Sequence, residues 1–235
     1  MMDKKTVTVV ISSYKYGHLA AHCIESILSQ TRRPDKILFV DDGVGDCVHL
    51  KKLYPMIDFT FRKKNLGVVA NFDDMLRKVK TDYCMFLGAD NWLRSDTFEI
   101  LLKKDEDIVT YDIIVTGELK DDVKVRHPDQ IKNINGDYYW DRSSGHHGSM
   151  MYKTKLAQKF GYKKNPDSKY SEEDKMLWNN LTENRATVAH IAEGLLYYRR
   201  HKENFNNYFP TKHKSKPLKS IFIRILGRIS KLVKH

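Results

Sequence analysis

Cysteine is scarce in this 235-residue chain. The three present, Cys23, Cys47 and Cys84, form no CxxC pair, which excludes a disulfide framework and points to a reducing compartment. Long apolar runs are missing too. None approaches about 18 residues, so no segment is expected to cross a bilayer, and the opening run 7–11 is too short for a signal-peptide core. There is no GxxxxGK[ST], no GxGxxG and no GxSxG, which disfavours P-loop, dinucleotide and α/β-hydrolase chemistry. HExxH is absent, which argues against a zinc site of that kind. Acids are lacking from residue 211 onward, where eight Lys and Arg stand alone. The first 210 residues hold 33 basic and 30 acidic side chains, so the net charge of +11 is mostly a property of the tail. A nucleic-acid binder would want a basic face on the body, and none is expected as a partner.

What is present is a regular alternation. Short apolar runs at 6–12, 36–40, 57–61, 83–87 and 107–115 read as strands. Helical patterns at 18–30, 46–54, 68–79 and 96–103 separate them. This order predicts an α/β fold, with a mostly parallel central sheet and helices on both faces. The second half is less regular. Residues 121–130 are polar and read as a meander or mobile loop, and 145–153 as a loop entering a strand. Helices are expected at 154–160 and 171–181, the latter with a capping-box pattern from Ser171 to Asp174. Two short strands are expected at 187–191 and 195–199.

Acids gather at strand ends. Asp41 and Asp42 close the second strand, and Asp90 follows the fourth, beside Asn91 and Trp92. Ligands of open α/β sheets sit just beyond the C-terminal ends of the strands. A carboxylate at Asp41 or Asp42 can accept from a base N–H or a ribose hydroxyl, or serve the Asp-Gly turn. Tyr14, after Ser12 and Ser13, can stack on a nucleobase or pack on the following helix. Gly67 can take positive φ and let the backbone approach a ligand, while Asn65 can bridge to that ligand or cap the helix. Asp90 suits a hard divalent cation, since Mg²⁺ commonly takes one or two protein carboxylates plus diphosphate oxygens; its alternative is a helix N-cap. Glu172, Glu173 and Asp174 open a helix, where acids are favoured electrostatically and one can act as a general base. The runs 146–149 and 198–201 can supply a diphosphate clamp or, through His201, a metal ligand.

Taken together, residues 5–204 resemble the family 2 inverting glycosyltransferases of GT-A fold. Residues 7–14 look like the family's opening strand, 23–31 its first helix, and 40–43 its second-strand signature. Residues 65–68, with Asn71 and Phe72, resemble the loop and helix before the metal motif. Residues 86–93 fall at the D-x-D position, Glu173 and Asp174 at the catalytic-base position, and 198–201 with Asn204 at the closing segment. The resemblance implies that Ser12, Tyr14 and Asp42 hold a nucleobase, commonly uracil. Asp41, Asn65, Gly67 and Ala89 count as further donor contacts. Asp90, joined by His201, would ligate Mg²⁺ or Mn²⁺ on the sugar-nucleotide diphosphate, and Asp174 would deprotonate the acceptor hydroxyl. One departure is plain: the family's first acid is Gly88 here.

The implied domains are 1–210, with a nucleotide-sugar half (1–116) and an acceptor half (117–210), and a basic amphipathic tail (211–235). Within the tail, Leu218, Ile221, Phe222, Ile225, Ile229 and Leu232 fall at helical spacing beside Arg224, Arg228 and Lys231. Such a helix can lie in an anionic membrane surface or pack on a partner. The expected enzyme is cytoplasmic and peripheral at the inner face of the membrane, glycosylating a glycan or lipid-linked acceptor. Two rivals stand: a sugar-phosphate nucleotidyltransferase, which would want a more glycine- and arginine-rich loop than residues 12–17, and a non-catalytic nucleotide-sugar binder.

Overall fold

A computed structural model describes residues 4–168 and 170–204. The chain divides into two compact units, Met1–His201 and Lys202–His235, and the account below concerns the first. The amphipathic helix expected in the tail lies outside the described residues.

The elements run β1 (Val7–Ser13), α1 (Gly17–Leu28), β2 (Lys36–Asp41), α2 (Leu50–Leu53), β3 (Asp58–Phe61), α3 (Val68–Lys78), β4 (Tyr83–Gly88), β5 (Trp92–Leu93), α4 (Thr97–Leu101), β6 (Ile108–Thr116), α5 (Lys120–Arg126), β7 (Ile131–Ile134), β8 (Asp137–Trp140), β9 (Met150–Lys153), α6 (Thr154–Phe160), α7 (Glu173–Glu183) and β10 (Val188–Arg199). The sheet order is β3-β2-β1-β4-β9-β6-β10-β5, with the β7–β8 hairpin attached to β6. The first four strands pair in parallel, as do β6 and β10. Strand β9 runs antiparallel between β4 and β6 and joins the two parallel sections.

Burial explains the sheet. Val7, Val9 and Ile11 pack on one face with Ile24, Ile27 and Phe98, while Val10 packs on the other with Phe72, Met75 and Leu76. Alternate residues of a strand point to opposite faces, so a strand apolar at every position needs helices on both sides. Helices α1 and α4 cover one face; α3, α6 and α7 cover the other.

Four local expectations need correction. Residues 121–130 are a helix and a 3-10 turn, not a loop. Asp121 and Asp122 open that helix and Lys124 and Arg126 close it, the charge order a helix dipole favours, with Val123 alone anchoring it. The helix expected at 46–54 shrinks to Leu50–Leu53, because Asp41 captures the loop before it. The two short strands at 187–191 and 195–199 are one strand, irregular around Gly194. The capping box does not form: α7 starts after Glu172, in the left-handed region at φ 44°, with no side-chain cap. Asp174 therefore sits inside the first turn with its carboxylate turned elsewhere.

Candidate active site

Strand register brings the sequence candidates to one rim. Ser12 stands opposite both Val40 and Gly88, and Ser13 opposite Asp41. Asp42 and Asp90 therefore follow the C-terminal ends of strands that flank β1 on either side. The residues just past β2, β1 and β4 share one edge of the parallel section, the edge where α/β sheets take ligands.

On the β2 side, Asp42 is buried and its Oδ1 accepts from the Leu66 N–H (3.2 Å) and lies 3.3 Å from Arg62 Nε. Burial pushes its carboxyl above the usual value, against the opposing pull of Leu66 N–H and the Arg62 cation. The contact ties the end of β2 to the loop before α3. Gly43 completes the join: at φ +89° a Cβ there would lie 2.3 Å from the Asn65 backbone nitrogen, so only glycine fits. Gly67 takes positive φ (79°), and a Cβ built on it meets nothing within 4 Å. Its backbone thus faces open space.

Asn65 neither caps α3 nor leaves its oxygen free, since its Oδ1 accepts from the Gly67 N–H within its own turn. Ser12 Oγ accepts from Asn71 Nδ2 (3.0 Å), which fixes the serine beside the rim. Tyr14 is 40% exposed, so its ring is available to a planar ligand.

Two expected donor contacts have other work. The Asp41 oxygens accept from the backbone N–H groups of Val44, Gly45 and Cys47, which places this carboxylate in the turn rather than toward a ligand. The Ala89 side chain is fully buried, and its N–H donates to the Ser12 carbonyl.

On the β4 side, Asp90 and His201 meet. Their Oδ2 and Nε2 atoms are 3.2 Å apart, and both side chains are largely buried. Asp90 Oδ1 accepts from Asn91 Nδ2 (3.0 Å), and the Asp90 carbonyl accepts from Arg199 Nε (3.0 Å). Asn91 Oδ1 in turn accepts from the Arg199 N–H (2.9 Å), so the end of β10 is locked to the turn after β4. A Cβ on Gly88 would come within 2.7 Å of Asp90 Oδ1. The space a first acid would need is thus filled by the carboxylate of Asp90 itself.

An imidazole and a carboxylate with adjacent donor atoms fit a divalent cation that takes its other ligands from a diphosphate. Groups of three possible ligands among the described residues occur elsewhere, at Asp41, Asp46 and Cys47, and at Asp112, Asp141 and His190. The first of these includes the Asp41 carboxylate already engaged by its turn.

Asp174 lies beside the loop between β8 and β9. Its Oδ1 accepts from the Lys175 N–H (2.7 Å), and its Oδ2 lies 3.5 Å from the His147 nitrogen. His147 stacks on Phe72 (4.1 Å between ring centres) and leans on Phe86 of β4. His146 meets Tyr198 of β10 edge to face. The loop carrying both histidines thus joins Asp174 to the ends of β4 and β10. Burial opposes the charged form of Asp174, but the facing histidines and the two N–H groups prevail and hold its carboxyl below the usual range. Burial lowers the pKa of both histidines, against the opposing pull of the Asp174 carboxylate.

Asn91 pins Arg199 to the turn after β4, a role its sequence neighbourhood beside Asp90 does not announce. Arg62, which braces Asp42, carried no sequence signal at all.

Known proteins resemble this chain in sequence and in fold. The sequence model described as Glycosyl transferase family 2 matches residues 8–165. The chain is 28% identical over 109 residues to the glycosyltransferase GlyA of Streptococcus pneumoniae, covering 44% of this chain and 15% of that protein. It is 33% identical over 101 residues to an uncharacterized glycosyltransferase of Rickettsia felis, covering 41% and 17%. The chain therefore spans under a fifth of the length of these two relatives. Among solved structures, S. aureus TarS 1–349 in complex with UDP-GlcNAc superimposes with a TM-score of 0.64 at 13% identity, over 83% of this chain and 59% of that one. At that identity the likeness establishes the fold, which is the GT-A fold expected above.

Proposed function

The chain belongs to glycosyl transferase family 2, and from that membership we propose that this glycosyltransferase moves a sugar, with inversion, from a UDP-sugar to a hydroxyl of a glycan or lipid-linked acceptor. The observation that carries the reading is the meeting of Asp90 with His201 on the rim that also holds Ser12 and Asp42. The UDP- and UDP-GlcNAc-bound forms of TarS, a structural neighbour, support a uridine donor.

In this reading Tyr14 stacks on the base, Asp42 and Ser12 read its edge, and the open backbone at Gly67 lets the nucleotide lie close. Asp90 and His201 would hold Mg²⁺ or Mn²⁺, which supplies neutralisation of the diphosphate as it departs. Arg199, tied to the Asp90 carbonyl, keeps that end of the site in place. Asp174 takes the proton of the acceptor hydroxyl as its oxygen attacks the anomeric carbon in a single displacement. A carboxylate held below its usual pKa is charged, and so competent as a base, throughout the neutral range.

A donor screen tests the proposal. Release of UDP from one UDP-sugar is the expected outcome. Release of pyrophosphate from a nucleoside triphosphate and a sugar phosphate would favour a nucleotidyltransferase, and turnover of neither would favour a binding protein.

No helix among the described residues is long and apolar enough to cross a membrane. The basic amphipathic pattern of the tail supports attachment to an anionic membrane surface, where lipid-linked or surface glycans are made. The full chain should float with anionic liposomes and a truncation after Tyr208 should not; equal flotation would remove the membrane role.

A further inference from the structure

The loop between β8 and β9 carries a cation that is in no ion pair among the described residues. Arg142 Nη2 donates to the Gly145 carbonyl of its own loop (3.0 Å), and the guanidinium lies 4.6 Å from the Trp140 ring centre. Among the described residues, Arg142 forms no ion pair, and its Nε is buried without a hydrogen-bond partner. His146 Nδ1 and His147 Nε2, four and five residues on, are buried and unpartnered in the same way. Burial works against the Arg142 charge, while Asp174, Tyr198 and Asp141 favour it from a distance.

A largely buried guanidinium without a paired anion is costly, and a planar fork of donors matches a carboxylate or a phosphate. The loop's position says which ligand is meant. Its His147 N–H approaches Asp174, the group assigned to the acceptor hydroxyl, whereas the donor diphosphate is assigned to Asp90 and His201. Trp140 and Asp112 hold the arginine in place: the ring lies against the guanidinium, and Asp112 Oδ1 accepts the Arg142 backbone N–H (3.2 Å).

We propose that Arg142 seats an anionic group of the acceptor, a phosphate or a carboxylate close to the attacked hydroxyl, with His146, which shares the Trp140 ring with the arginine, beside the same seat. This rests on the reading of Asp174 as the base of a sugar transfer. It adds that the acceptor is negatively charged.

The test uses the full chain, the donor found by the screen, and three acceptors built on one ring: glucose, glucuronate and glucose 6-phosphate. UDP release should be stimulated at least about tenfold more, in kcat/KM, by one of the two anions than by glucose, as expected for a charge-assisted contact. Which anion does so separates carboxylate from phosphate. Arg142→Gln should raise the acceptor KM by a similar factor and leave the donor KM unchanged, with Arg142→Lys recovering part of the loss. Equal use of glucose would overturn the proposal. So would a rise in the donor KM instead, which would assign the arginine to the diphosphate.

Calorimetry provides a readout independent of turnover. The UDP-loaded wild type should bind the preferred anion, and Arg142→Gln should not. Binding that survives in the variant, or is absent in the wild type, counts against the seat even if no donor is turned over. Absence of UDP release with anion binding intact would instead fault the transferase reading alone.

Discussion

Asp174→Asn should fold, bind donor, and transfer sugar about 10²- to 10⁴-fold more slowly, the usual contribution of a positioned base. The substitution is nearly isosteric. The close Lys175 N–H (2.7 Å) can still find the amide oxygen, and only the long His147 contact (3.5 Å) is given up, so the first turn of α7 keeps its place. What is lost is the ability to accept a proton. Single-turnover transfer and donor affinity, measured side by side, separate that loss from misfolding, and unchanged turnover would remove Asp174 from the mechanism.

The pH profile adds a second check. In the folded protein the Asp174 carboxyl is held below the usual carboxylate range by the facing histidines and the two N–H groups, which outweigh its burial. Its charged form, and with it the base, is therefore kept as pH falls and is lost only below that range. No acid limb near pH 6 should come from this group. The same sign governs stability: the contribution of Asp174 is present above its unfolded pKa and lost as pH drops through the lower folded one.

Asp90→Ala should abolish cation-dependent donor binding. It removes one of two adjacent donor atoms and leaves His201 without its carboxylate. The loss of affinity for UDP with Mn²⁺ should exceed the roughly 10- to 100-fold that removing a supporting residue around a metal costs. Calorimetry with Mn²⁺ and with EDTA gives the comparison. Equal binding in both conditions by the parent protein would contradict the assignment of Asp90. Gly88 sharpens the point, because with no first acid the cation has no second aspartate in this triplet to fall back on.

The strands and most helices were legible because their burial is written as local periodicity. A run apolar at every position and only five residues long, such as 83–87, reads as a strand covered on both faces, since a buried helix would need a longer stretch. The rim was legible for a related reason: parallel strands end on the same side, so acids after β2 and β4 had to share an edge. Asp41 shows the limit of that argument. Its type and position are right for a ligand contact, yet three backbone N–H groups of its turn had first claim on it.

Helix α5 was missed because charge order, not an apolar stripe, defines it. Arg142 and Arg62 were invisible for a deeper reason. Their surroundings come from elements distant in sequence, such as Asp112 on β6 under the β8–β9 loop, and no window of neighbouring residues encodes that meeting. Asp174 was placed by order along the chain, but its low pKa depends on His146 and His147 in a loop distant in sequence.

A crystal structure with UDP and Mn²⁺ bears most directly on the whole account. Uracil should lie on Tyr14 with Asp42 at its edge, and the ion should bridge the diphosphate to Asp90 and His201. A nucleotide bound away from the ends of β1, β2 and β4, or an ion that ignores Asp90, would contradict it.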